Sequence, residues 1–178
     1  FPFFPLTAAM GEVSWSASSE FTLLAVPMFI LMGEILTKSG MTDRMYIALD
    51  AWFNRLPGGV MHTNIAAATM FAATSGSSVA TAATIGTVSL SNIERYGYNA
   101  PLYLGSLAAG GTLGILIPPS INMILYGMLA NASVSDLYMG SIIPGLILAA
   151  MFSLAIFIAC VVRPAWSGRA HHYTWRER

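Results

Sequence analysis

Two interruptions decide the reading of this sequence: Thr74-Ser75-Gly76-Ser77-Ser78, and Gly110-Gly111-Thr112-Leu113-Gly114-Ile115-Leu116-Ile117-Pro118-Pro119-Ser120. Both sit in apolar sequence, and across residues 56–134 only Glu94 and Arg95 carry a formal charge. Inside a bilayer every backbone polar group must find a partner. Glycine, serine and a double proline at that depth are therefore costly unless the backbone lines a protein cavity or holds a ligand. Interrupted helices in pairs point to the binding site of a secondary transporter. The pattern predicts transport machinery.

Composition agrees. The chain has 178 residues, 56% hydrophobic and 9% charged, with mean hydropathy +0.66; soluble domains carry about 25% charged residues. A formal net charge of zero leaves no basic patch to neutralise phosphates, which excludes a nucleic-acid partner. Cys160 stands alone, so neither an internal disulfide nor a thiolate zinc site is possible within the chain. The opening Phe1-Pro2-Phe3-Phe4-Pro5 lacks an initiator methionine, and the chain is expected to be an internal piece of something longer. No basic n-region followed by an apolar h-region and cleavage site is seen, so no signal peptide is expected.

The predicted fold class is an all-α integral membrane protein. Residues 1–20, with Glu12 and Glu20, form a periplasmic or interfacial lead-in, and residues 21–37 a transmembrane helix. Residues 38–57 read as an interfacial amphipathic helix. Met41, Met45, Leu49, Trp52 and Phe53 recur on its apolar face, and Asp43, Arg44 and Asp50 fall elsewhere. Residues 58–93 hold two arms flanking the first interruption. Each is about 24 Å long as helix, short of the ~30 Å hydrocarbon core. Small residues dominate both arms and allow close packing, so a re-entrant helical hairpin is expected. Residues 100–130 read as a broken span, 137–162 as a complete span and 163–178 as a basic tail.

Charge placement tests this topology. The basic residues are Lys38, Arg44, Arg55, Arg95, Arg163, Arg169, Arg176 and Arg178. With no net crossing over 58–93 and one each for the broken and final spans, all fall on one face. The positive-inside pattern assigns that face to the cytoplasm.

The interruptions supply the candidate ligands. Ser77 or Ser78 is placed to cap the second hairpin arm, whose positive dipole end stabilises an anion such as a substrate carboxylate. Carbonyls around Ser75 and Gly76 lose their helical partners and suit Na⁺. In the second break, Pro119 is expected in the first turn of the downstream half-helix, while Pro118 unwinds the chain at Ile117. Gly111 and Gly114 are expected to end the upstream half-helix and free its carbonyls, with the Thr112 hydroxyl as a further oxygen ligand. Ser120 and Asn122 complete the substrate side. Plain turn capping and a ligand-free proline kink are the competing readings. Glu34 is an acid inside an apolar run, hence a functional candidate, although an i,i+4 pair with Lys38 at the interface explains it. His62 reads as an interfacial histidine near the hairpin base rather than a proton relay. His171 and His172 are too few for a metal site.

The segment Phe71-Ala72-Ala73-Thr74-Ser75-Gly76-Ser77-Ser78-Val79-Ala80-Thr81-Ala82-Ala83-Thr84-Ile85-Gly86 resembles the first hairpin of the large membrane subunit of tripartite ATP-independent periplasmic (TRAP) transporters. The segment Gly111-Thr112-Leu113-Gly114-Ile115-Leu116-Ile117-Pro118-Pro119-Ser120-Ile121 is similar to that subunit's broken helix. Pro27-Met28-Phe29-Ile30-Leu31-Met32-Gly33-Glu34 and Gly58-Gly59 are in keeping. The resemblance covers about residues 20–163. It implies a bacterial or archaeal inner-membrane protein importing organic acids on a Na⁺ gradient, with no cofactor beyond that coupling ion. It also implies two partners besides the lipid bilayer: a periplasmic substrate-binding protein and a small membrane subunit.

The implied architecture is a pair of inverted repeats with a transport domain moving elevator-fashion. This chain would supply one hairpin and one broken helix, about half the subunit, with one Na⁺ site and one wall of the substrate site. It departs from many relatives in carrying Thr81 where they have an aspartate. The rivals are a binding-protein-independent dicarboxylate symporter and a channel with a re-entrant loop. An intramembrane serine protease would need a general base at membrane depth, which the three histidines do not offer; no enzyme is expected.

Overall fold

A computed structural model describes residues 4–168. Among the described residues the regular structure is helical throughout. Helix α1 is Phe4–Ser18, and a 3₁₀ turn at Phe21–Leu24 leads into α2, Ala25–Lys38. Then follow α3, Met41–Phe53; α4, Val60–Ser75; α5, Ser78–Ser89; and the short α6, Asn92–Tyr96. Helix α7, Ala100–Thr112, continues as a 3₁₀ turn at Leu113–Ile115 before the chain unwinds. Helices α8, Ile121–Leu129, and α9, Val134–Val162, complete the set. Among the described residues two segments, Phe21–Lys38 and Val134–Val162, are long and apolar enough to cross a membrane.

Helix α4 is the hub, touching α2, α3, α5, α7 and α9. Its alanines make this possible, because small side chains let helices approach where apolar area alone gives no drive to associate in lipid. Helix α7 lies against both hairpin arms on the same terms. A Cβ added to Gly110 would stand 2.9 Å from the Ala68 Cβ on α4, and one added to Gly111 would stand 2.8 Å from the Ala82 Cβ on α5. Around these contacts Met61, Ile65, Phe71, Ile85, Tyr103 and Leu113 form the buried core.

Both ends of the hairpin lie at one end of the molecule. The Val60 amide, opening α4, donates to the Tyr98 hydroxyl at 3.0 Å, and the Tyr103 hydroxyl donates to the Ser89 carbonyl, closing α5, at 2.8 Å. The C-terminal end of α9 arrives at the same place: the Gly58 amide donates to the Ser167 hydroxyl at 3.0 Å and the Asn99 amide to the Trp166 carbonyl at 3.5 Å. Arg55, Arg95 and Arg163 belong to the segments gathered here. Arg169, Arg176, Arg178, His171 and His172 lie outside the described residues.

Helix α3 keeps its apolar and polar residues on separate faces. The face it buries carries Thr42, Tyr46, Asp50 and Ala51, whereas Met41 and Trp52 point outward. Met45 and Leu49 flank the buried stripe, half-covered. Asp50, read from sequence as lying off the apolar face, is 7% exposed and accepts a hydrogen bond from the Thr63 hydroxyl at 3.1 Å. The Tyr46 hydroxyl donates to Asn64 Oδ1 at 2.7 Å, and Asn64 Nδ2 donates to the Ser106 hydroxyl at 3.1 Å. Side-chain hydrogen bonds thus tie α3, α4 and α7 together. Burial, and then its neighbours Tyr103 and Asp50, pushes the Tyr46 phenol well above its ordinary range; burial pushes Tyr98 up to about 12. Both remain neutral hydrogen-bonding groups at physiological pH.

His62 is also relocated. It is buried between α4 and α9, with Nδ1 against the Ser153 hydroxyl and Nε2 against the Pro57 carbonyl at 2.9 Å. With both ring nitrogens engaged it is a helix-to-helix fastening.

Candidate functional site: the junction of the two interruptions

The hairpin turns in two residues. Gly76 adopts a left-handed conformation (φ 59°), which glycine takes without strain, and ends α4. Ser77 is extended and caps α5, its hydroxyl accepting from the Ala80 amide at 3.4 Å. Ser75 is buried, with Oγ 2.8 Å from the Thr81 hydroxyl, which in turn donates to the Ser77 carbonyl at 2.8 Å. Thr81 thereby stitches the turn from inside. It sits one helical turn after Ser77, and that spacing was the available signal for its role.

The second interruption lies directly against this turn. A Cβ on Gly114 would stand 2.6 Å from the Ser77 carbonyl oxygen and 2.8 Å from the Thr81 hydroxyl. A Cβ on Gly76 would stand 2.9 Å from the Pro119 carbonyl oxygen. The Ile121 amide, opening α8, donates across the gap to the Gly76 carbonyl at 3.3 Å. Four helix ends therefore meet. The C-terminal ends of α4 and of the turn extending α7 bring partial negative charge, and the N-termini of α5 and α8 bring partial positive charge. Such a junction has complementary places for a cation and an anion.

The upstream half-helix ends beside the two glycines: α7 stops at Thr112, one residue after Gly111, and its 3₁₀ extension at Ile115, one residue after Gly114, before the chain unwinds over 116–120. These glycines act by close approach, Gly111 to α5 and Gly114 to the hairpin turn. Pro119 does not enter the first turn of α8. Ser120 is extended and caps that helix, with its hydroxyl turned back to the Ile115 carbonyl at 2.9 Å, so α8 starts at Ile121. The peptide between Pro118 and Pro119 is cis. Ser120 is fully buried, and its carbonyl accepts from the Tyr138 hydroxyl on α9 at 3.3 Å. Sequence reasoning missed Tyr138, which stands far along the chain with no motif around it.

A cleft of about 320 Å³ opens beside the turn, bounded by Glu34 and Thr37 of α2, Ser75 and Ser77 of the turn, Thr84 of α5 and Ile121 of α8. This is at the low end of ligand-sized cavities, which run from about 300 to 1,000 Å³. The structure brings Ser75, Gly76, Ser77, Gly114, Pro119 and Ser120 together, with half-buried Ser78 opening α5 and its carbonyl beside Gly111. Thr112 and Asn122 stay apart. Thr112 is exposed, with its hydroxyl donating to the Ala109 carbonyl at 2.7 Å, and Asn122 is exposed on α8.

With this geometry in view, comparison with known proteins is decisive. Residues 2–177 match the family described as the tripartite ATP-independent periplasmic transporter, DctM component. The chain belongs to the TRAP transporter large permease family. Most of the relatives it matches carry the names of transporter permease proteins rather than of enzymes. It is 38% identical over 160 residues to the C4-dicarboxylate TRAP transporter large permease protein DctM of Vibrio cholerae, covering 88% of this chain and 35% of that one. Against the sialic acid TRAP transporter permease protein SiaT of Haemophilus influenzae the identity is 36% over 143 residues, 80% of this chain and 23% of the relative. Against the ectoine/5-hydroxyectoine large permease protein UehC of Ruegeria pomeroyi it is 34% over 156 residues, 84% and 36%. The matched region is thus about a third or less of these relatives, rather than the half expected from sequence.

Proposed function

We propose that this TRAP permease segment forms one part of a Na⁺-coupled importer of an organic acid delivered by a periplasmic binding protein. The observation that carries the reading is the convergence of four helix ends at Gly76, Ser77, Gly114 and Pro119. Carbonyls of Ser75, Gly76 and Gly114 offer oxygen ligands for Na⁺, and the N-termini of α5 and α8, with Ser77, Ser78 and Ser120, receive the substrate carboxylate. The hairpin enters and leaves the bilayer on the basic, cytoplasmic side. Its arms support this: α4 has 16 residues and α5 has 12, or about 24 and 18 Å, too short to cross. An inverted second repeat, moving elevator-fashion with this one, and a small membrane subunit complete the machine. The names of relatives span dicarboxylate, sialic acid and ectoine carriers, so the acid is set outside this junction.

The test is uptake by the full-length permease reconstituted with its partners. Ser77→Ala should sharply reduce Na⁺-dependent uptake while membrane insertion and expression stay at wild-type level, and Gly114→Leu, whose Cβ would stand 2.6 Å from the Ser77 carbonyl oxygen, should abolish uptake with a loss of stability. Uptake unchanged in both variants contradicts the site.

A further inference from the structure

Among the residues bounding the cleft Glu34 is the acid, and the transport reading gives it no task. It lies on α2, which is otherwise charged only at Lys38. Its neighbour Gly33 rests on the hairpin turn: a Cβ there would stand 3.4 Å from the Ser75 Cα and 3.5 Å from the Thr74 carbonyl oxygen. The Thr37 hydroxyl, one turn on, donates to the Gly33 carbonyl at 2.8 Å. The other polar groups on the wall are the neutral hydroxyls of Thr37, Ser75, Ser77 and Thr84, and Lys38 is not among the lining residues.

An organic anion drawn to the N-termini of α5 and α8 enters a cleft whose wall carries Glu34, an exposed acid. Like charges brought together repel, and a cation placed between them relieves the repulsion. We propose that Glu34 supplies the negative charge that draws the coupling cation into the cleft, so that anion entry is conditional on the cation being bound. This rests on the transport reading of the same cleft and assigns its coupling to a named side chain. The competing role is a helix-end ion pair with Lys38, which would make the two residues equivalent.

Na⁺ binding to the purified full-length permease tests the proposal, read as the rise in melting temperature with NaCl against choline chloride. In wild type, Na⁺ should stabilise specifically. In Glu34→Gln the concentration for half the effect should rise about tenfold, and Lys38→Gln should titrate like wild type. Glu34→Met, which keeps the stem and loses the charge, carries the same expectation should the glutamine variant not fold. Wild-type titration in the charge-removing variants overturns the proposal and leaves the transport reading standing. Equal weakening in Lys38→Gln overturns it in favour of the ion pair. A wild-type protein indifferent to Na⁺ removes the transport reading itself, and the proposal with it.

Discussion

The two ends of the hairpin are held by different physics. At its base, side chains bond across helices: Tyr46 to Asn64, Asn64 to Ser106, Thr63 to Asp50, and Tyr103 to the Ser89 carbonyl. At its tip, backbones meet directly, spaced by Gly76 and Gly114, with one bond from the Ile121 amide to the Gly76 carbonyl joining the turn to α8. A side-chain network in a low-dielectric interior is rigid when satisfied. A backbone junction leaves carbonyls, helix ends and hydroxyls directed at one small volume. The base anchors, and the tip is the place proposed to bind.

Four variants of the full-length permease break or sharpen that contrast. The largest effect is expected from Gly76→Val. It places a branched side chain in a left-handed conformation, against the Pro119 carbonyl. Uptake should fall to background, with about 2–5 kcal/mol of stability lost. Thr81→Val keeps the shape but removes the hydroxyl joining Ser75 to the Ser77 carbonyl. It should cost about 1 kcal/mol of stability but about tenfold in Na⁺-dependent uptake, because the cost falls at the site. Asn64→Ala reverses the proportion: the Tyr46 hydroxyl loses its Asn64 acceptor and Ser106 a donor, though Ser106 keeps its bond to the Tyr103 carbonyl, and about 1–3 kcal/mol of stability is lost. Uptake per folded molecule should stay within about threefold. Thr112→Val, on an exposed side chain bonded within its own helix, should change stability by no more than about 0.5 kcal/mol and uptake not measurably. Thermal melts paired with initial uptake rates check all four. A stability loss without an uptake loss at Thr81, or the converse at Asn64, erases the distinction between base and tip.

The sequence made the tip legible because membrane depth makes glycine, serine and proline conspicuous. Residues 74–78 turn the chain, Ser77 caps, and the second break unwinds around Ile117, as read. Helix rotation was not legible. Thr112 and Asn122 stand next to the break in sequence, but the turn of α7 and of α8 carries both outward. The apolar spacing of α3 was legible, but which of its polar residues pack inward was not: an interfacial helix turns apolar side chains such as Met41 and Trp52 toward lipid, while Tyr46 and Asp50 find partners in the protein. The alternative stripe Thr42, Tyr46, Asp50 was present at helical spacing and stands out only under that rule. Gly111 and Gly114 did mark where α7 and its 3₁₀ extension end, but their close approach to α5 and Ser77 is visible only once the partner helix is in place.

The central claim is that the junction of the two interruptions holds the coupling cation and the substrate. The most direct measurement is a cryo-EM structure of the full-length permease, with its partners, in saturating Na⁺ and substrate. The account predicts cation density against the carbonyls of Ser75, Gly76 and Gly114, with the substrate carboxylate at the N-termini of α5 and α8. Both ligands bound elsewhere, with this junction closed over its own backbone, would contradict it.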